Sequence, residues 1–216
     1  MRPSDAVCPS LTYKITDADR HLYLSESELD SLLRREGVYP VGKYMDRLAI
    51  YGIEEVIRRH PMIECAECYT TPLYEVKVEI SQRTPLLEVR TPVERYFVDT
   101  HYRVMPWREQ IKDEVLLVTG AVGPQAATTT LAEVAEWLQN DPYWSNRIQS
   151  IHMRTPLTAV LILQGDNQPQ VILGSLSDYR RKMSKLRTFM DNSAEATLDK
   201  HYSELDLRFH GQVVAR

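Results

Sequence analysis

Cys65 and Cys68 form a C-x-x-C pair, the spacing in this chain that most directly invites chemistry. Such a pair can cycle between dithiol and disulfide when it opens a helix, where the helix dipole lowers the thiol pKa. It can also supply half of a tetrahedral zinc site, with His60 close by in sequence. A structural zinc wants four ligands, and there is no second C-x-x-C and no histidine pair at ligand spacing. The pair also lies in a run that reads as a strand, not at a helix start. Both cysteines are therefore expected to be partly buried strand residues. The six histidines, at positions 21, 60, 101, 152, 201 and 210, are scattered. No G-x-G-x-x-G, P-loop or G-x-S-x-G motif occurs. With eight glycines in the chain, a phosphate-cradling loop is not expected. These residues fit a binding or scaffolding protein better than an enzyme, with no cofactor and no metal.

The stretch that organises the first third is Ile53–Ile80. Ile53, Val56 and Ile57 put an apolar stripe on a short helix, Arg58, Arg59 and His60 suit its negative end, and Pro61 stops it. Two extended runs follow, Met62–Tyr69 and Leu73–Ile80. In the second, Val76, Val78 and Ile80 alternate with Lys77 and Glu79, the period of a half-buried strand. Upstream, Leu11–Thr16 reads as a strand and His21–Leu24 as a short extended piece. Ser25 or Ser27 caps a helix carrying Leu29, Leu32 and Leu33, which Gly37 ends. A further helical segment starts near Asp46. The order strand, helix, helix, strand, strand makes a compact α+β module. Residues 1–10, with Cys8, read as a loose end.

After Gln82 the pattern changes. Short extended runs at Leu86–Val89, Arg95–Asp99, Tyr102–Val104 and Val115–Thr119 lead to a helix capped by 128–130. Leu131, Val134, Ala135 and Leu138 give that helix an amphipathic stripe. Three strands follow, at Arg147–Arg154, Leu157–Gln164 and Gln170–Leu173. The longest helix runs from Ser177 to Ala194, with Leu176, Tyr179, Met183, Leu186 and Met190 as its buried side. Its remaining surface carries Arg180, Arg181, Lys182 and Lys185, which reads as a solvated face or, more sharply, as a surface for an anionic partner. Leu205–Phe209 and Gln212–Arg216 close the chain as two extended runs joined at His210-Gly211. Leu205, Leu207 and Phe209 share one face of the first run. The second half thus reads as a mostly antiparallel sheet with flanking helices.

The chain has 216 residues, 43% hydrophobic and 26% charged, with net charge −4. That is an ordinary globular composition with no basic footprint for nucleic acid. No run approaches the roughly 20 apolar residues of a spanning helix. The start, MRPSDAVCPS, has no apolar signal core. The chain is therefore expected either to be cytosolic or to be the soluble part of a longer, membrane-anchored protein.

The first module resembles a polypeptide-transport-associated (POTRA) domain. The segment HPMIECAECYTTPLYEVKVEISQRTPLLEVR is similar to the bacterial cell-division family FtsQ/DivIB, whose V-x-V-E-I-x-x-R-x-P phrase is carried here by Val76, Val78, Glu79, Ile80, Arg83 and Pro85. YFVDTHYRVMP resembles a further family phrase through Phe97, Val98, Asp99, Met105 and Pro106, with Tyr102 in place of the usual glycine. LLVTG at Leu116–Gly120 and the ending LDLRFHGQVVAR are also similar. The resemblance covers 11–216 and divides the chain into a loose end (1–10), a POTRA-like domain (11–83) and a C-terminal β domain (84–216). It implies a non-catalytic divisome scaffold, single-pass in the inner membrane, with a periplasmic ectodomain at the septum. Its implied partners are FtsB-like and FtsL-like division proteins, bound by strand addition at the C-terminal edge. The residues it places there are Phe209, Gly211, Gln212, Val213 and Val214. Phe209 is read either as an interface anchor or as core, since it shares a face with Leu205 and Leu207. The competing reading is a POTRA-type envelope-assembly or translocation adaptor.

Overall fold

The computed structural model describes residues 6–17, 23–196 and 202–216. The chain forms two compact units: residues 1–84 with 105–112, and residues 85–104 with 113–216. The molecule is α+β.

In the first unit, β1 (Leu11–Ile15) is followed by α1 (Glu26–Arg35), a single 3₁₀ turn at Met45–Arg47, α2 (Ile50–Arg58), β2 (Ile63–Thr70) and β3 (Val76–Gln82). The sheet order is β1-β3-β2, with β1 parallel and β2 antiparallel to β3. The alternation read in β3 is the observed burial: Val76, Val78 and Ile80 are fully covered and the intervening residues are not. Ser25 makes a full capping box with Glu28, satisfying amides that a helix start otherwise leaves orphaned. Gly37, at φ 74°, carries the chain out of α1. Leu29, Leu33, Ile53 and Ile57 are the buried faces of the two helices. Residues 21–22 of the expected extended piece lie outside the described residues.

The expected loose end is corrected from residue 6 onward. Ala6 and Cys8 are buried. The Cys8 amide donates to the Lys43 carbonyl at 2.9 Å, the Gly42 amide to the Cys8 carbonyl at 3.0 Å, and the Met45 amide to the Ala6 carbonyl at 2.9 Å. The turn at 42–45 supplies backbone partners that no local pattern in 1–10 announces. Residues 1–5 lie outside the described residues.

The larger sheet is built from β4 (Pro85–Arg90), β5 (Arg95–Asp99), β6 (Val104–Pro106), β7 (Leu116–Gly120), β8 (Ile148–Thr155), β9 (Thr158–Leu163), β10 (Gln170–Gly174), β11 (Glu204–Asp206) and β12 (Val214–Ala215). The order across the sheet is β12-β11-β10-β9-β8-β7-β4-β5-β6. Pairings β4–β7, β7–β8 and β10–β11 are parallel; β4–β5, β8–β9, β9–β10 and β11–β12 are antiparallel. Between β7 and β8 lie a short helix, α3 (Pro124–Ala127), and α4 (Thr130–Asn140). Between β10 and β11 lies α5 (Tyr179–Ala196). Leu131, Val134, Ala135 and Leu138 of α4 and Met183 and Leu186 of α5 join one core with Val89, Val118, Ile151, Leu161, Leu173 and Leu205. Trp144, 2% exposed, is the largest side chain in it.

Tyr102 adopts φ 61°, the backbone conformation that glycine takes most readily. The Asp99 carboxylate accepts the amides of His101 (2.9 Å) and Arg103 (2.7 Å), and the Tyr102 hydroxyl donates to Glu136. The turn therefore keeps a glycine-like shape, held by Asp99 on one side and a side-chain tether on the other.

Candidate functional site

Cys65 and Cys68 are not placed to form a disulfide with each other. Both residues sit in regular register on β2, Cys65 opposite Ser81 and Cys68 opposite Val78. Positions three apart on a strand point to opposite faces and lie about 10 Å apart, beyond the ~7 Å that a disulfide spans. Burial, Glu54 and Cys8 push the Cys68 thiol up to about 12. A thiol held protonated in this way is a poor nucleophile at neutral pH. The His60 ring accepts the Met62 amide at its Nδ1 (3.3 Å), and burial, with Arg108 and Arg35, lowers its pKa. Among the described residues, no three His, Cys, Asp or Glu side chains are grouped to hold a metal ion.

The C-terminal residues form the candidate site. β11 pairs with β10, Val171 opposite Leu205 and Ile172 opposite Asp206, and the last bond runs from the Leu207 amide to the Ile172 carbonyl at 2.9 Å. The chain then leaves the sheet, turns through 207–213 and returns as β12. Leu205 faces Ala215 and Asp206 faces Val214. Glu204 and Arg216 exchange both backbone bonds, at 3.2 and 2.9 Å. In an antiparallel ladder, bonded and non-bonded pairs alternate, and both polar groups of a residue point the same way. Val214 and Arg216 therefore turn their backbone groups inward to β11. Val213 and Ala215 turn theirs outward, and among the described residues no strand lies beyond β12.

The five residues expected here are brought to one corner. Phe209 is 42% exposed, which rules out the core alternative, while Leu205 and Leu207 are buried. The shared face ends because the strand ends: β11 stops at Asp206, so the alternation beyond Leu207 has no sheet to follow. Gly211, at φ 74°, and Gln212 are exposed. Val213 is half-buried, its side chain packed on the core, and Val214 is half-buried beside it. The two extended runs expected at Leu205–Phe209 and Gln212–Arg216 are both shorter than the sequence suggests.

Residues outside the five expected ones hold this corner in shape, two of them on the helix face expected to be solvated or to meet an anionic partner. The buried Asp206 carboxylate accepts Nε (3.0 Å), Nη2 (2.6 Å) and the backbone amide (3.0 Å) of Arg208. The Arg208 guanidinium holds the Asp206 pKa below the usual carboxylate range. Lys185 of α5 donates to the carbonyls of Leu207 (3.0 Å) and Phe209 (2.6 Å). Arg181 Nη1 lies 3.2 Å from His210 Nδ1. Burial and the neighbouring cations Arg181 and Lys182 lower the Lys185 pKa. A cavity of about 480 Å³ opens between α5 and the turn, lined by Arg181, Lys185, Thr188, Leu207, Phe209 and His210, among others. The D-x-R spacing at 206–208 was the available signal for the first pair; nothing in the helical pattern separates Lys185 from its solvated neighbours.

Residues 84–216 match the family profile described as FtsQ/DivIB, C-terminal related, and residues 6–81 match that of a POTRA-like domain. No curated protein matches the chain. Among solved structures, the major extracytoplasmic domain of the trans isomer of the bacterial cell division protein DivIB from Geobacillus stearothermophilus is similar at 12% identity. That match covers 53% of this chain and 97% of the other, with a TM-score of 0.33.

Proposed function

This chain belongs to the FtsQ/DivIB, C-terminal related family, and on that premise we propose that it is the ectodomain of a non-catalytic division scaffold. In this reading it stands in the periplasm at the septum and is anchored in the inner membrane. It recruits FtsB-like and FtsL-like partners by strand addition at β12. The partner-binding residues are Phe209, Gly211, Gln212, Val213 and Val214, joined by Ala215. The observation that carries the reading is the open edge: Val213 and Ala215 turn their backbone groups away from β11, and among the described residues no strand pairs with them, the arrangement that invites an added strand.

Magnitudes decide what else the site must supply. Two outward residues offer four backbone bonds, each worth about 1 kcal/mol net, so about 4 kcal/mol together. Micromolar affinity needs about 8 kcal/mol. Side-chain anchors must provide the remainder, and in this reading the exposed Phe209, in the turn that leads to β12, is one of them.

The test is a calorimetric titration with the extracytoplasmic segment of the FtsB-like protein from the same organism. Val213→Pro removes an outward donor and should abolish binding while circular dichroism stays unchanged. Binding indifferent to Val213→Pro moves the site off this edge, and no binding by the unaltered chain sinks the scaffold reading.

A further inference from the structure

β12 spans two residues and is joined to β11 by a seven-residue turn, 207–213. A ladder that short cannot hold its own geometry in water. Something else must present Val213 and Ala215 to a partner, and the described contacts show where it sits. Lys185 is half-buried on α5, the helix that packs on the core through Met183 and Leu186. Its ammonium carries three donors, and two are spent on the carbonyls of Leu207 and Phe209, both within the turn. One turn of helix earlier, Arg181 reaches His210. Beyond these anchors support fades: a side chain added at Gly211 would meet nothing within 4 Å.

We infer that Lys185 is a positioning residue for the partner strand: by tying the turn carbonyls of Leu207 and Phe209 to α5, it pre-orders the open edge and so sets its affinity. This rests on the strand-addition reading above and deepens it. Lys185 need not touch the partner. Each turn residue left free in the unbound chain must be ordered on binding, and that entropy is taken out of the affinity. Of the cations on this face of α5, Lys185 is the one whose donors are committed to backbone on both sides of Arg208. A solvated lysine would make no such pair of bonds.

The test uses Lys185→Met, which keeps the stem and removes the donors, with Lys185→Arg as the conservative variant that keeps a cation and donors. Hydrogen exchange read by mass spectrometry over 207–216 should accelerate in Lys185→Met and recover in Lys185→Arg, while β9 and β10 exchange as before. Titration with the same FtsB-like segment should weaken roughly tenfold for Lys185→Met, as expected for the loss of about one ordered contact, and recover with Lys185→Arg. Unchanged exchange over 207–216 overturns the inference. So does faster exchange with unaltered affinity, which makes Lys185 a structural residue only. If the unaltered chain does not bind the segment, the scaffold reading falls first and the positioning role with it; if it binds and Lys185→Met binds equally, only the inference falls. Should Lys185→Met disturb β9 and β10, Arg181→Gln is carried through the same two measurements. It should show the same pair of losses, smaller in size, and normal exchange with normal affinity counts against the inference.

Discussion

Gly174→Ala strikes the corner that carries the site without touching the open edge. Gly174 closes β10 at φ 70°, where an L side chain costs about 1 kcal/mol or more. A Cβ there would stand 2.8 Å from Arg208 Cγ and 3.1 Å from Cδ. Those carbons are not a free end. The guanidinium beyond them is held by the Asp206 carboxylate at 3.0 and 2.6 Å, so the side chain cannot swing away without leaving a buried carboxylate short of partners. Overpacking of this kind typically adds about 1–3 kcal/mol, for a total near 3 kcal/mol. Gly211→Ala is the control: it shares the left-handed backbone, φ 74°, but has open space, so it should cost about 1 kcal/mol only. Urea unfolding followed by tryptophan fluorescence, to which the buried Trp144 contributes, would read both. If Gly174→Ala proves no more destabilising than Gly211→Ala, the packing of Arg208 over Gly174 is not what fixes this corner.

Further outcomes follow from the same contacts. At neutral pH a maleimide should label Cys65 rapidly and Cys68 slowly, because the Cys68 thiol is pushed up to about 12 while Cys65 is exposed; equal rates would contradict the strand placement. Asp206 has a folded-state pKa below its unfolded value, so its contribution is present above the unfolded carboxylate value, about 3.9, and is lost as pH falls through the lower folded value. Asp206→Asn should accordingly flatten the acid limb of a stability-against-pH curve and lower stability at pH 7. Ser25→Ala breaks the capping box and should cost the first unit about 1 kcal/mol, measurable by chemical denaturation.

Strongly periodic stretches were legible before the fold was known. The Val76–Ile80 alternation and the Leu131–Leu138 stripe needed only a period of two or 3.6 to fix which side is buried, and the structure buries those sides. Punctuation was legible too, in the Ser25 cap and the Gly37 exit. What failed had a shared cause: a local pattern says nothing of partners distant in sequence. Residues 6–10 carry no signal, yet backbone bonds to 42–45 bury Cys8. Residues 105–112 group with the first unit, although about 20 residues of the second precede them. The Leu205, Leu207, Phe209 alternation promised a longer strand, but periodicity does not report where the neighbouring strand stops. Beyond Ile172 the β10 backbone turns at Gly174, and Phe209 is left outside. Helix α3 hid in a Gly-Pro loop, where Pro124 at the first helical position was the unused clue.

Among the described residues β12 has one open side, with Val213 and Ala215 turned outward and Val214 and Arg216 turned to β11. Amide exchange at 213–216, resolved by NMR with and without the FtsB-like segment, tests it most directly. Val214 and Arg216, bonded to β11, should exchange slowly in the free chain, and Val213 and Ala215 should exchange fast until the partner is added and slowly thereafter. Partner-induced protection that bypasses Val213 and Ala215 and gathers elsewhere on the chain would contradict it.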